Sequence, residues 1–138
     1  TGDFKISNHK GKKIVVFFFP RADTSGCTAE SIAFTNLQHE FDKLNCIVIG
    51  ISKDNQKKQA KFREKYNLTC ELGADFENDV CEQFGVWVEK SMYGKKYMGI
   101  QRSTFLSNEQ GIITNVWEKV KVPGHAEEVL ETVKSLNN

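Results

Sequence analysis

The residues of this chain with the most chemical potential are Cys27 and the groups that sequence places around it: Pro20, Thr24, Gly26 and Arg102. An apolar run from Ile14 to Phe19 stops at Pro20. A polar loop, Arg21 to Gly26, then delivers Cys27 to the start of a segment with helical spacing. Open α/β sheets place their sites at such points, where a strand's carboxyl end turns into a helix. A free thiol titrates near 8.5, so only about 3% is thiolate at neutral pH. The first helical turn offers unpartnered N–H groups and a partial positive charge, and both favour a thiolate. That position is worth about 1 kcal/mol, whereas ionising most of a thiol at pH 7 takes roughly 3 kcal/mol, so a cation must assist. The chain has three arginines, Arg21, Arg63 and Arg102. Arg102 directly precedes the expected strand Ser103 to Leu106, and its planar fork can hold both a thiolate and a substrate oxygen. Thr24 can aim its hydroxyl at the same spot, and Gly26 lets the backbone approach closely.

The elements that must position these groups follow from periodicity. Ile14 to Phe19 is apolar on both faces, as in a central strand of a covered sheet. Phe34, Leu37, Phe41 and Leu44 predict one helix from about 27 to about 44. Cys46 to Ile51 reads as a second buried strand, and Asp54 as the N-cap of a polar helix through Tyr66. A strand near Cys70 to Leu72 and a short helix near Asn78 to Phe84 follow. Gly85 to Gly99 reads as a long irregular loop, packed by Trp87, Tyr93 and Tyr97. Ser103 to Leu106 and Ile112 to Val120 are strands joined by a turn ending at Gly111. Pro123-Gly124-His125 opens a last helix with the face Ala126, Val129, Leu130, Val133 and Leu136, and His125 is expected as a helix-start residue rather than a base. The order β-α-β-α-β-α-β-β-α is a thioredoxin-like arrangement, a mixed sheet with helices on both faces. At 138 residues the chain is expected to be one domain.

Composition narrows the function. Lys plus Arg is 19 and Asp plus Glu is 18, a balance that argues against nucleic-acid and membrane-surface partners. No apolar run is long enough to span a bilayer and no signal peptide opens the chain, so a cytoplasmic location is expected. The four cysteines, Cys27, Cys46, Cys70 and Cys81, form no C-x-x-C pair, which excludes a zinc ribbon and a dithiol shuttle. They are too sparse for a disulfide scaffold. The charges between Lys53 and Lys65 read as a solvated helix face.

Pro20-x3-Thr24-x2-Cys27 with a later Arg102 resembles the peroxiredoxin active-site pattern, and most closely that of the bacterioferritin-comigratory protein/PrxQ subfamily. Thr24-Ser25-Gly26-Cys27-Thr28-Ala29-Glu30, Val48-Ile49-Gly50-Ile51-Ser52, Phe84-Gly85-Val86-Trp87, Met92-Tyr93-Gly94-Lys95, Arg102-Ser103-Thr104-Phe105 and Gly124-His125-Ala126-Glu127-Glu128 carry the resemblance across nearly the whole chain. It implies a thiol peroxidase acting on hydrogen peroxide and organic hydroperoxides, without metal or other cofactor. Cys27 would be the peroxidatic cysteine. Arg102, Thr24 and the loop N–H groups would hold the peroxide, Pro20 would shield the thiolate, and Glu30 would orient Arg102. The reductant would be thioredoxin, glutaredoxin or a small thiol, and the protein a monomer or weak dimer.

Two departures qualify this. Many subfamily members carry a resolving cysteine five residues after the first, where this chain has Ile32. Others place it in the helix after the second strand, and Asn55 to Tyr66 contains none. A one-cysteine cycle is therefore expected, with core packing the role of Cys46, Cys70 and Cys81. The alternative is a rearranged disulfide from Cys27 to Cys81 or Cys70. Relatives also begin with a hairpin segment to whose end Thr1 to Lys10 corresponds, so the chain is expected to lack that opening. From other classes, a cysteine hydrolase needs a histidine base that no feature selects, and a redox-inactive thioredoxin-fold binding or holdase module remains open.

Overall fold

A computed structural model describes residues 11–75 and 80–136. The expectation for Thr1 to Lys10 and the first part of the Asn78 helix lie outside them. The chain runs β1 (Lys13–Phe18), α1 (Ser25–Asn36), α2 (Gln38–Lys43), β2 (Cys46–Ser52), α3 (Gln56–Lys65), β3 (Glu71–Ala74), α4 (Val80–Gln83), β4 (Trp87–Met92), β5 (Lys95–Ile100), β6 (Ser103–Ser107), β7 (Ile113–Trp117) and α5 (His125–Leu136).

Five strands form a mixed sheet in the order β3-β2-β1-β6-β7. β1, β2 and β3 are parallel, β6 runs antiparallel to β1, and β7 antiparallel to β6. β1 is central and buried along its whole length, and its alternation divides the core. Val15, Phe17 and Phe19 pack under α1, α2, α3 and α5. Ile14, Val16 and Phe18 pack on the other face with α4, Val86 and Ile100. A strand loaded on both faces must be covered on both, which is why helices flank the sheet.

Five expectations need correction. The single helix over 27–44 is two, α1 and α2, broken at Leu37. The side chain that caps α3 is Asn55, which accepts from the Lys58 N–H at 2.8 Å, and not Asp54. The segment 85–99 is no irregular loop: β4 and β5 pair as a separate antiparallel hairpin. Tyr93 does not pack anything there; it is 98% exposed at the hairpin tip. Leu136, assigned to the apolar face of α5, is exposed, unlike Ala126, Val129, Leu130 and Val133.

Candidate active site

Cys27 is the third residue of α1, so its N–H lies in the first turn. Thr24 is the N-cap residue, in extended conformation, and its carbonyl takes the first helical bond from the Thr28 N–H at 2.8 Å. Spacing then selects a face. Cys27, Glu30, Ser31 and Phe34 fall at i, i+3, i+4 and i+7, and all four are buried. Phe34 seats this face by stacking on Phe17 at 4.6 Å between centroids.

The same face meets Arg102 because of sheet register. β6 pairs with β1 so that Ser103 lies opposite Phe18. One step further, Arg102 stands beside the end of β1 where the Pro20 loop begins. Its carbonyl accepts from the Val120 N–H at 2.9 Å, which holds the backbone there. The guanidinium donates from Nη1 to Glu30 Oε1 at 2.7 Å and from Nη2 to Cys27 Sγ at 3.3 Å. Gly26 leaves room for it: a Cβ at that position would sit 3.1 Å from Arg102 Nη2.

The electrostatics of this line are tight. Burial pushes the Glu30 carboxyl up to about 7, although Arg102 pulls the other way. Burial opposes the Arg102 charge, but Glu30 and Cys27 outweigh it and hold arginine above its ordinary value. Glu30 Oε2 is buried without a hydrogen-bond partner.

The loop before Cys27 is clamped. The Ala22 N–H donates to Asp54 Oδ2 at 2.7 Å, and the Ser52 hydroxyl donates to the same oxygen at 2.7 Å. Asp23 adopts φ +61°, and its carboxylate accepts from Tyr66 Oη at 2.6 Å and Lys65 Nζ at 3.0 Å. Thr24 is exposed, and its hydroxyl proton goes to the Arg21 carbonyl at 2.8 Å. Pro20 is half-buried at the head of the loop.

The structure thus brings Cys27, Glu30 and Arg102 into direct contact, with Thr24 and Pro20 in the loop beside them. Sequence reasoning missed Asp54 as a loop anchor and Lys90 as a neighbouring cation. Lys90 lies on β4, and its stem passes Gly99 so closely that a Cβ there would meet Lys90 Cδ at 3.1 Å. Burial lowers Lys90, Arg102 lowers it further, and Cys27 pulls it back up, which places its charge near theirs. The alternation that would have marked β4 is weak, because both faces of the hairpin are partly exposed.

The other cysteines are packed thiols. Burial pushes Cys46 up to about 12 and raises Cys70 and Cys81 as well. His125 is also structural in its contacts: it is buried, its Nε2 is 2.8 Å from Thr104 Oγ1, and burial lowers its pKa.

The model of the AhpC/TSA family matches residues 1–116. The chain belongs to that family, as a peroxiredoxin of the Bcp/PrxQ type. It is 50% identical over 125 residues to a putative peroxiredoxin bcp of Coxiella burnetii, spanning 91% of this chain and 83% of that protein. It is 44% identical over 133 residues to peroxiredoxin Bcp of Bacillus subtilis, spanning 96% and 85%. The solved structure of the Xanthomonas campestris bacterioferritin comigratory protein, studied for alkyl peroxide reduction, superposes with a TM-score of 0.91 at 39% identity and covers 96% of this chain and 84% of that one. A Xylella fastidiosa PrxQ gives 0.93 at 36% identity, covering 98% and 84%. The thioredoxin-like peroxiredoxin fold and an enzymatic role as a thiol peroxidase follow from this membership, as do peroxide substrates and a thiol reductant.

Proposed function

We propose that Cys27 is the peroxidatic cysteine of a one-cysteine cycle acting on hydrogen peroxide and organic hydroperoxides in antioxidant defence. The observation that carries this is the Arg102 guanidinium, which bridges Cys27 Sγ at 3.3 Å and Glu30 at 2.7 Å. The Cys27 thiolate attacks one peroxide oxygen, the O–O bond breaks, and the departing alkoxide or hydroxide takes a proton and leaves as alcohol or water. Cys27 is left as sulfenic acid. Arg102 and the first-turn N–H groups stabilise charge as it moves onto the leaving oxygen. Thr24 Oγ1, its own proton committed to Arg21, is free to accept from the hydroperoxide O–H. Pro20 screens the thiolate from water. Glu30 acts through Arg102, as a positioning residue.

Resolution by an outside thiol is supported by where the other cysteines lie. Cys81 packs on the opposite face of the sheet from Cys27, and Cys70 accepts from Thr35 Oγ1, two turns along α1. Four unpaired cysteines fit a reducing compartment such as the cytoplasm. No helix among the described residues is long and apolar enough to cross a membrane. In this reading the protein works as one domain, as a monomer or a weak dimer.

The test is hydrogen peroxide consumption with a small thiol, for wild type and Cys27→Ser. The wild type is expected to consume peroxide and Cys27→Ser to fall to the uncatalysed rate. Equal rates would sink the assignment.

A further inference from the structure

The α3 lysines do more than solvate a helix face. Lys58, Lys61 and Lys65 recur at i, i+3 and i+7, with Phe62 among them, and turn one face of α3 toward the catalytic loop. Together with Arg21, Ala22, Asp23 and Asp54 they line a cavity of about 360 Å³. Four cations meet two carboxylates there, and the carboxylates are occupied. Asp23 is held by Lys65 and Tyr66, and Asp54 by the Ala22 N–H and Ser52. No ion pair among the described residues engages Arg21, Lys58 or Lys61. Phe62, 2% exposed, gives the cavity an apolar floor and belongs to the same core as Cys27.

We infer that this cavity binds the carboxylates of a small anionic thiol, the reductant that returns Cys27 from sulfenic acid to thiol. The inference rests on the proposed peroxidatic role of Cys27. Three observations select this ligand class. The cycle needs an external thiol. The unpaired cations, with the Arg21 fork among them, match carboxylates. The volume suits a small molecule rather than a protein surface. Position suits it too. Asp23 is four residues before Cys27, and the loop folds back on itself at the Thr24–Arg21 hydrogen bond. Even fully extended, four residues span at most about 14 Å, so a tripeptide-sized thiol anchored here can present its sulfur to a Cys27 exposed by a small loop movement. The thiol condenses with the sulfenic acid, a mixed disulfide forms and water leaves. A second thiol attacks the bound one, releases the small disulfide and frees Cys27.

The probe is glutathione, a tripeptide thiol with two carboxylates, against uncharged 2-mercaptoethanol and cationic cysteamine. Protein oxidised with one equivalent of hydrogen peroxide is mixed with each thiol, and recovery of the Cys27 thiol is timed by quenched alkylation and mass. In the wild type, the glutathione rate is expected to saturate with concentration and to exceed the cysteamine rate. In the double variant Lys58→Glu/Lys61→Glu, the ratio of the glutathione rate to the 2-mercaptoethanol rate is expected to fall roughly tenfold. Lys58→Gln/Lys61→Gln should fall between. Because each figure is a ratio within one variant, a general loss of folded protein cancels. A ratio within twofold of wild type in the Glu variant would overturn the inference, and so would glutathione no better than cysteamine. If peroxide does not oxidise Cys27 at all, the underlying reading falls and this one with it. Normal oxidation followed by unselective reduction removes this one alone.

Discussion

Glu30 gives one oxygen to Arg102 at 2.7 Å and keeps the other, Oε2, buried without a partner. Burial is the main reason its carboxyl titrates near 7 instead of 4.5. The sign of the resulting pH dependence is fixed. Between 4.5 and 7 the folded protein holds a proton here that the unfolded chain has released, so stability falls as pH rises through that window. The contribution is fully present below 4.5 and gone above 7. A change of that size corresponds to on the order of 3 kcal/mol. Buried His125 works in the opposite direction nearby, but it is common to wild type and variant and cancels between them. Urea unfolding at pH 5 and pH 8 should therefore show wild type losing more stability than Glu30→Gln over that interval. Equal losses in the two proteins would contradict a buried, protonating Glu30. At this scale Cys27 and Thr24 were legible from their place in one loop and helix start, whereas Glu30 entered only through the family resemblance, and the structure places it one turn on from Cys27. Arg102 was readable because its strand follows directly. Lys90 was not, since its electrostatic coupling to Arg102 and Cys27 comes from a separate hairpin that the sequence pattern does not mark.

Elements show where pattern reading works and where it stops. β1 was legible because Ile14 to Phe19 is an unbroken β-branched and aromatic run stopped by Pro20, which fits a strand covered on both faces. The β4–β5 hairpin was illegible because its faces are not alternately buried, so a period of two has nothing to mark it. Its signal lay in the two-residue connection: Tyr93 at φ +52° and Gly94 at φ +79° take the positive values that a tight primed turn requires. The break at Leu37 was hidden because α1 and α2 continue the same apolar spacing through Phe34 and Phe41 into one core. That core leaves β2 little room under α1. A Cβ on Gly50 would lie 2.5 Å from Phe17 Cζ, and the Phe17 ring is pinned by its stack on Phe34 at 4.6 Å. Gly50→Ala is expected to destabilise the fold by about 2 kcal/mol, as overpacking of a filled core does. Chemical denaturation measures it, and a loss below about 0.5 kcal/mol would mean that Phe17 yields more easily than its neighbours suggest.

At the scale of the molecule, the sheet decides which cysteines can meet. Cys27 packs with Val15, Phe17 and Phe19 on one face, whereas Cys81 packs with Ile14, Val16 and Phe18 on the other. No sequence pattern reports this, because the face a helix covers depends on the handedness and order of strand crossovers rather than on the residues near each cysteine. Cys70 shares the Cys27 face but touches Thr35, eight residues along α1, which is about 12 Å of helix rise. Disulfides need Cα atoms within about 7 Å, so neither partner is reachable without opening α1 or crossing the sheet. Cys46 opens β2 against the same core and makes its contact with the Ile47 carbonyl at 3.8 Å. Exposed to one equivalent of hydrogen peroxide without added thiol, the whole protein should therefore lose one thiol per chain. Its mass should rise by a single oxygen, with no disulfide inside the monomer. Loss of two thiols within one chain would instead show that α1 or the sheet edge opens far enough for Cys70 or Cys81 to act as resolver. A doubled mass under non-reducing conditions would place the bond between two molecules and overturn the proposed one-cysteine cycle in a different way. A single sulfenic acid that an added thiol returns to the reduced state is the outcome expected of the proposed one-cysteine cycle, with Cys27 and Cys81 packed in separate clusters.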